Sequence, residues 1–129
     1  MEDNELFSLA LFAWGVPAQV DTLIEEMAEL TKALMKMRRH LKRSPPQAAT
    51  YQVLESHILE ELGDTQLLIN QIKSYYTGGF PEYFNEHYET SKSKLKDKLV
   101  LNERVKIILT VGPEPKGALV AERLEEKGR

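Results

Sequence analysis

The chain has 129 residues, enough for one ordinary domain with a core and too few for two full ones. Its 17 Lys and Arg against 20 Asp and Glu leave a formal charge of −3, which offers no broad attraction for duplex nucleic acid or an anionic membrane. With no cysteine, disulfides, zinc-thiolate sites and thiol nucleophiles are excluded.

The opening MEDNELFSLALFAWG starts acidic and its apolar run breaks early, unlike a secretory signal. No run approaches the roughly 20 apolar residues of a membrane span, so a soluble cytoplasmic protein is expected. Leu6, Leu9, Ala10, Ala13 and Trp14 fall at helical spacing, which predicts a first helix over 4–14 with Asn4 as N-cap and Gly15 as its end. Pro17 suits the first turn of a second helix, from about 17 to 42, carrying Val20, Leu23, Met27, Leu30, Leu34 and Leu41 on its apolar stripe. KRSPPQ halts it, because proline lacks a backbone donor and biases the preceding residue away from helix.

A third helix is predicted over about 48–76 and is followed by the breaker TGGFP at 77–81. A fourth amphipathic segment runs through Tyr83, Phe84, Tyr88, Leu95 and Leu99. Four helices with short breaks predict an all-α, four-helix-bundle-like domain over 1–99. In the tail, VKIILTV (105–111) is β-branched and alternating, GPEPKG has turn chemistry, and ALVAERLEEKGR returns to an apolar-charged pattern. Residues 100–129 therefore read as an appendage, a β-hairpin or a strand plus helix, that packs on the bundle or on another subunit.

The third helix places acids among its apolar residues. At about 100° per residue, Glu61 falls within the stripe of Leu54, Ile58, Leu68 and Ile72, and Asp64 lies about 60° to one side. Glu55 and Glu60 point elsewhere. On the second helix Glu26 flanks the stripe and Glu29 follows one turn on, the spacing of Glu61 and Asp64. Antiparallel packing would bring the two pairs together, and four carboxylates gathered away from water need either Lys or Arg partners or divalent cations. An all-oxygen set suits Mg²⁺ or Mn²⁺ better than softer metals. The absence of E-x-x-H disfavours a carboxylate-histidine di-iron bundle. A lone E-x-x-E is ordinarily a solvated helix face, so the argument rests on the two matching pairs.

EEMAE (25–29) followed by EELGD (60–64) resembles the E-x-x-E…E-x-x-D signature of the MazG-like, all-α nucleotide pyrophosphohydrolases. WGVPAQV before the first box and SKSKLKDKL on the fourth helix are similar to flanking features of small members, so the likeness covers about residues 5–99 and not the tail. The resemblance implies a MazG/dUTPase-type fold, Glu26, Glu29, Glu61 and Asp64 as Mg²⁺ ligands, and hydrolysis of nucleoside or deoxynucleoside triphosphates to monophosphate and pyrophosphate. It also implies a homodimer or homotetramer and a task in nucleotide pool control or house-cleaning.

With such a substrate, Glu25 is the candidate base for the attacking water, or a solvated neighbour of Glu26. Lys94 and Lys98, at i, i+4 on the fourth helix, would clamp phosphate oxygens or form a wet basic face; Lys32 and Lys36 are further candidates. Trp14 either packs in the core or stacks on the base, and Gln19 is placed to hydrogen-bond a base edge. Asn70 and Gln71 are further polar candidates. His40 and His87 read as exposed, while His57, one turn before Glu61, either supports that acid or lies on the surface. Two other accounts share the sequence: a dedicated dUTP or dCTP hydrolase, and a non-catalytic helical interaction module.

Overall fold

A computed structural model of the chain describes residues 1–43, 45 and 47–111, Val111 by its backbone alone. Among these residues there are helices and no strands. They form two compact units, one spanning Met1–Phe80 and one beginning at Pro81. No single described helix is long and apolar enough to cross a membrane.

In the first unit, α1 (Asp3–Trp14) starts one residue earlier than expected. Glu2, not Asn4, is its N-cap, and the Glu2 carbonyl accepts from the Leu6 N–H at 3.0 Å. Asn4 lies one residue inside the helix. Gly15 closes α1 by donating its N–H to the Leu11 carbonyl at 2.9 Å. Its φ of 85° and ψ of 154° belong to a region that a Cβ all but forbids, and there the chain turns through 107° into α2 (Val16–Leu41). Pro17 sits in the first turn of α2, where its missing N–H costs nothing.

Beyond the proline linker, α3 (Ala48–Thr77) returns along α2. Residues 36–43 face 50–54, and residue 26 faces 61–65, so the two helices are antiparallel. Gly78, in the left-handed conformation at φ 59°, terminates α3. The α1 helix packs on both and buries Phe7.

The α2 stripe that meets α3 repeats every seven residues: Gln19, Ala33 and His40 are buried and Glu26 is half-buried. Opposite it, α3 buries Glu61, Thr65, Leu68 and Gln71, which share one face at i, i+4, i+7 and i+10. Among the described residues Phe7, Ala33, Met37 and Leu68 are the buried apolar ones, so the seam is largely polar. His40 is a correction: its neighbours Arg38, Arg39 and Lys42 read as a solvated run, yet the seven-residue repeat turns the imidazole inward, where it is 5% exposed.

The second unit contains α4 (Glu82–Leu101) and α5 (Glu103–Val111). No described side chain of it is buried. Local pairs support α4: Phe84 stacks on Tyr88 with ring centroids 6.1 Å apart, and Lys92 reaches Glu89 at 3.0 Å. The strand expected over 105–111 is a helix, because Asn102 accepts from the Arg104 and Val105 N–H groups through its side-chain oxygen and Lys106 pairs with Glu103 at 3.2 Å. Those local bonds outweigh the small helix penalty of β-branched residues. The turn and second element expected over 112–129 lie outside the described residues.

Candidate functional site

One acid of α2 and both of α3 come together at the seam, as the antiparallel register allows. Glu26, Glu61 and Asp64 each offer a carboxylate oxygen within 4.8 Å of the others. Glu61 is buried, Glu26 half-buried and Asp64 exposed, so the cluster opens from the helix interface toward solvent. The Thr65 hydroxyl donates to the Glu26 backbone carbonyl at 3.4 Å and ties α3 to α2 at this level.

Two observations show that the cluster is electrostatically incomplete. First, Glu61 Oε2 is buried and has no hydrogen-bond partner among the described residues, whereas its other oxygen lies 3.3 Å from His57 Nε2. A buried carboxylate oxygen left unpaired is costly and rare. Second, the Glu26 carboxyl is raised above the ordinary value of 4.5, by desolvation first, then by the charges of Asp64 and Glu61, the hydrogen bond a protonated Glu26 shares with Glu61, and the charge of Glu29. The basic side chain seen against the cluster is His57, whose Nε2 lies 3.3 Å from Glu61 Oε1.

Glu29 is exposed and stands outside the group of three, near enough for its charge to act on Glu26. Glu25, on the solvent side of α2, is exposed. Gln19 is buried seven residues before Glu26, about 10 Å along the helix. Trp14, 66% exposed at the end of α1, does not belong to the core of its unit. Asn70 is half-buried and accepts from Gln66 Nε2 at 2.8 Å, while its neighbour Gln71 is the buried one and leaves Oε1 unpartnered among the described residues. Lys94 and Lys98 stand exposed on α4, in the second unit.

Sequence reasoning passed over Thr65 and assigned His40 to the surface. Both fall at seven- or four-residue intervals from Glu26 and Glu61, a signal that following polar positions along the stripe would have found. Gly63, between the two acids of α3, lies where an added Cβ would meet no described atom within 4 Å. A larger hollow of about 700 Å³ lies on α4 against Glu82, Glu86 and Glu89, an acidic lining that suits no phosphate.

Comparison with family models, curated proteins and solved structures finds no significant match to this chain.

The donor set is of the kind a hard divalent cation takes: carboxylate oxygens from two helices, with a further buried carboxylate oxygen of Glu61 lacking a described partner and acids that raise one another's carboxyl.

Proposed function

We propose that the chain is a Mg²⁺-dependent nucleoside or deoxynucleoside triphosphate pyrophosphohydrolase with a MazG-like helical fold. The observation that carries this reading is the convergence of carboxylate oxygens of Glu26, Glu61 and Asp64 within 4.8 Å of one another, together with the buried Glu61 Oε2 that has no described partner. Glu26, Glu61 and Asp64 would hold the ion, with Glu29 at the rim. When bound, Mg²⁺ or Mn²⁺ supplies charge neutralisation for the phosphate oxygens and polarises water.

The protein's own groups have separate tasks in this scheme. His57 positions Glu61 by holding its Oε1, which leaves the buried Oε2 without a described partner. Glu25, solvated and beside Glu26, accepts the proton of the attacking water. Water oxygen adds at a phosphorus of the α–β linkage, the bridging P–O bond breaks, and monophosphate and pyrophosphate leave. Trp14 and Gln19 are assigned to the base and Asn70 to the substrate.

A homodimer or homotetramer belongs to the same proposal. Leu59, Leu62, Leu67 and Ile69 are exposed on α3, as are Ile24, Met27, Leu34 and Met35 on α2, apolar surface that a second copy of the chain would cover. Light scattering reads this directly.

The test is pyrophosphate release from a panel of canonical and modified nucleoside triphosphates, with Mg²⁺ and with EDTA. Activity is expected to vanish in EDTA. Undiminished activity there rejects the metal mechanism, and silence across the whole panel favours a non-catalytic helical module. Turnover confined to dUTP or dCTP narrows the reading to a dedicated hydrolase.

A further inference from the structure

We propose that the tip of the α2–α3 hairpin is a second binding site, for a phosphate- or pyrophosphate-type oxyanion, distinct from the acidic seam. A cavity of about 240 Å³ lies there, walled by Lys36, Arg39, His40, Arg43, Thr50 and Leu54. Three cations thus surround a space suited to a small solute, with Thr50, whose hydroxyl donates to Gln47 Oε1 at 3.3 Å, on its rim. The chain leading to it is basic: Lys32, Lys36, Arg38, Arg39, Lys42 and Arg43 follow one another, the sequence holds no acid between Glu29 and Glu55, and the nearest acid in the chain to the wall is Glu55, next to Leu54. A chain of net charge −3 has gathered six cations at one end of one helical hairpin.

His40 makes this more than a basic surface. Its imidazole is 5% exposed, forms part of the cavity wall, and leaves both Nδ1 and Nε2 without a hydrogen-bond partner among the described residues. In every protonation state an imidazole carries at least one N–H, and a buried donor without an acceptor is costly. An oxyanion oxygen in the cavity would accept from it while the guanidinium groups of Arg39 and Arg43 offer forked donors and Lys36 a point charge. Thr50 lies in the first turn of α3, whose free N–H groups give that helix end a partial positive charge, and Gln47 supplies no side-chain cap to use them up. Lys36 is about 15 Å along α2 from Glu26, which separates this site from the carboxylates.

The experiment uses the full chain in EDTA without Mg²⁺, so a negative result leaves the acidic seam untouched. Inorganic phosphate and pyrophosphate are titrated calorimetrically, with sulfate and chloride at matched ionic strength. The imidazole ¹⁵N resonances of the three histidines are followed, His40 being assigned with His40→Gln. Expected are saturable binding of pyrophosphate, a shift of the His40 nitrogens and not those of His57 or His87, and an affinity loss of about tenfold for each of Arg39→Gln and Arg43→Gln. No saturable binding, equal affinity for chloride, or an unmoved His40 resonance overturns the proposal. Binding to phosphatidylglycerol vesicles with none to free pyrophosphate also overturns it, since the occupant is then a membrane surface.

Discussion

The middle of the α2–α3 hairpin and its tip are built on one helical stripe and have opposite characters. Glu26 and His40 share the seven-residue repeat of α2, about 21 Å apart along the helix. Around Glu26 the facing helix brings Glu61 and Asp64. Around His40 the wall holds Lys36, Arg39 and Arg43. Each place leaves a buried polar atom without a described partner, Glu61 Oε2 in one and both imidazole nitrogens in the other. The contrast shows that a net charge of −3 is an average over an acidic and a basic pole, to which the two proposals assign ligands of opposite sign.

The most severe way to break this contrast is Glu61→Gln, which keeps the side-chain shape and removes the buried charge. Steady-state turnover of the preferred triphosphate with Mg²⁺ is expected to fall at least about a hundredfold. Unchanged turnover would leave the acidic pole without a catalytic task.

Next in size is the response to metal itself. Mg²⁺ at a hundred times its dissociation constant should stabilise the fold by about 2.7 kcal/mol, read as a rise in Tm, and Asp64→Asn should abolish most of that rise. An equal rise in the variant would place the ion elsewhere.

Ala33 lies midway between the poles, 2% exposed and seven residues from each. Ala33→Leu overpacks the seam and should cost about 1–3 kcal/mol in urea unfolding. If the poles depend on one helix spacing, both the Mg²⁺ response and the pyrophosphate affinity will weaken together. A variant that loses only one sharpens the contrast into two independent sites.

The smallest of these effects concerns pH. Because burial and neighbouring acids raise the Glu26 carboxyl, the folded chain keeps a proton that the unfolded chain has released. In EDTA, stability therefore falls as pH rises from the ordinary value of 4.5 through the raised folded one. Glu26→Gln removes that loss, so its Tm should gain on wild type with rising pH across this window and run parallel below it. A gap that narrows with rising pH would contradict the assignment.

The first three helices and α4 were legible because their ends are written in backbone chemistry: Gly15, the proline linker and Gly78 stop the chain whatever packs around it. Helix α5 was not. Its β-branched residues carry a strand pattern, and the deciding bonds, Asn102 to the next turn and Lys106 to Glu103, are individually weak local terms. At the acidic seam, Glu61 was legible as an acid inside an apolar stripe. The approach of Glu26 and Asp64 followed from antiparallel packing, whereas the position of Glu29 outside the trio depends on side-chain reach that periodicity does not encode. His40 was misjudged because its charged neighbours hid its place on the buried repeat, and the cavity beside it needs the facing turn of α3, which no local pattern supplies.

Gly63 weakens α3 by roughly 0.5–1 kcal/mol relative to alanine, yet no described atom of the chain stands in the way of a methyl group there. A methyl group there would cost the described fold nothing in space, so the open position tests whether anything outside the chain comes close to it. Alanine at that position is expected to make a sturdier protein, and slower chemistry or looser assembly alongside that gain would mark the spot as one that another molecule touches.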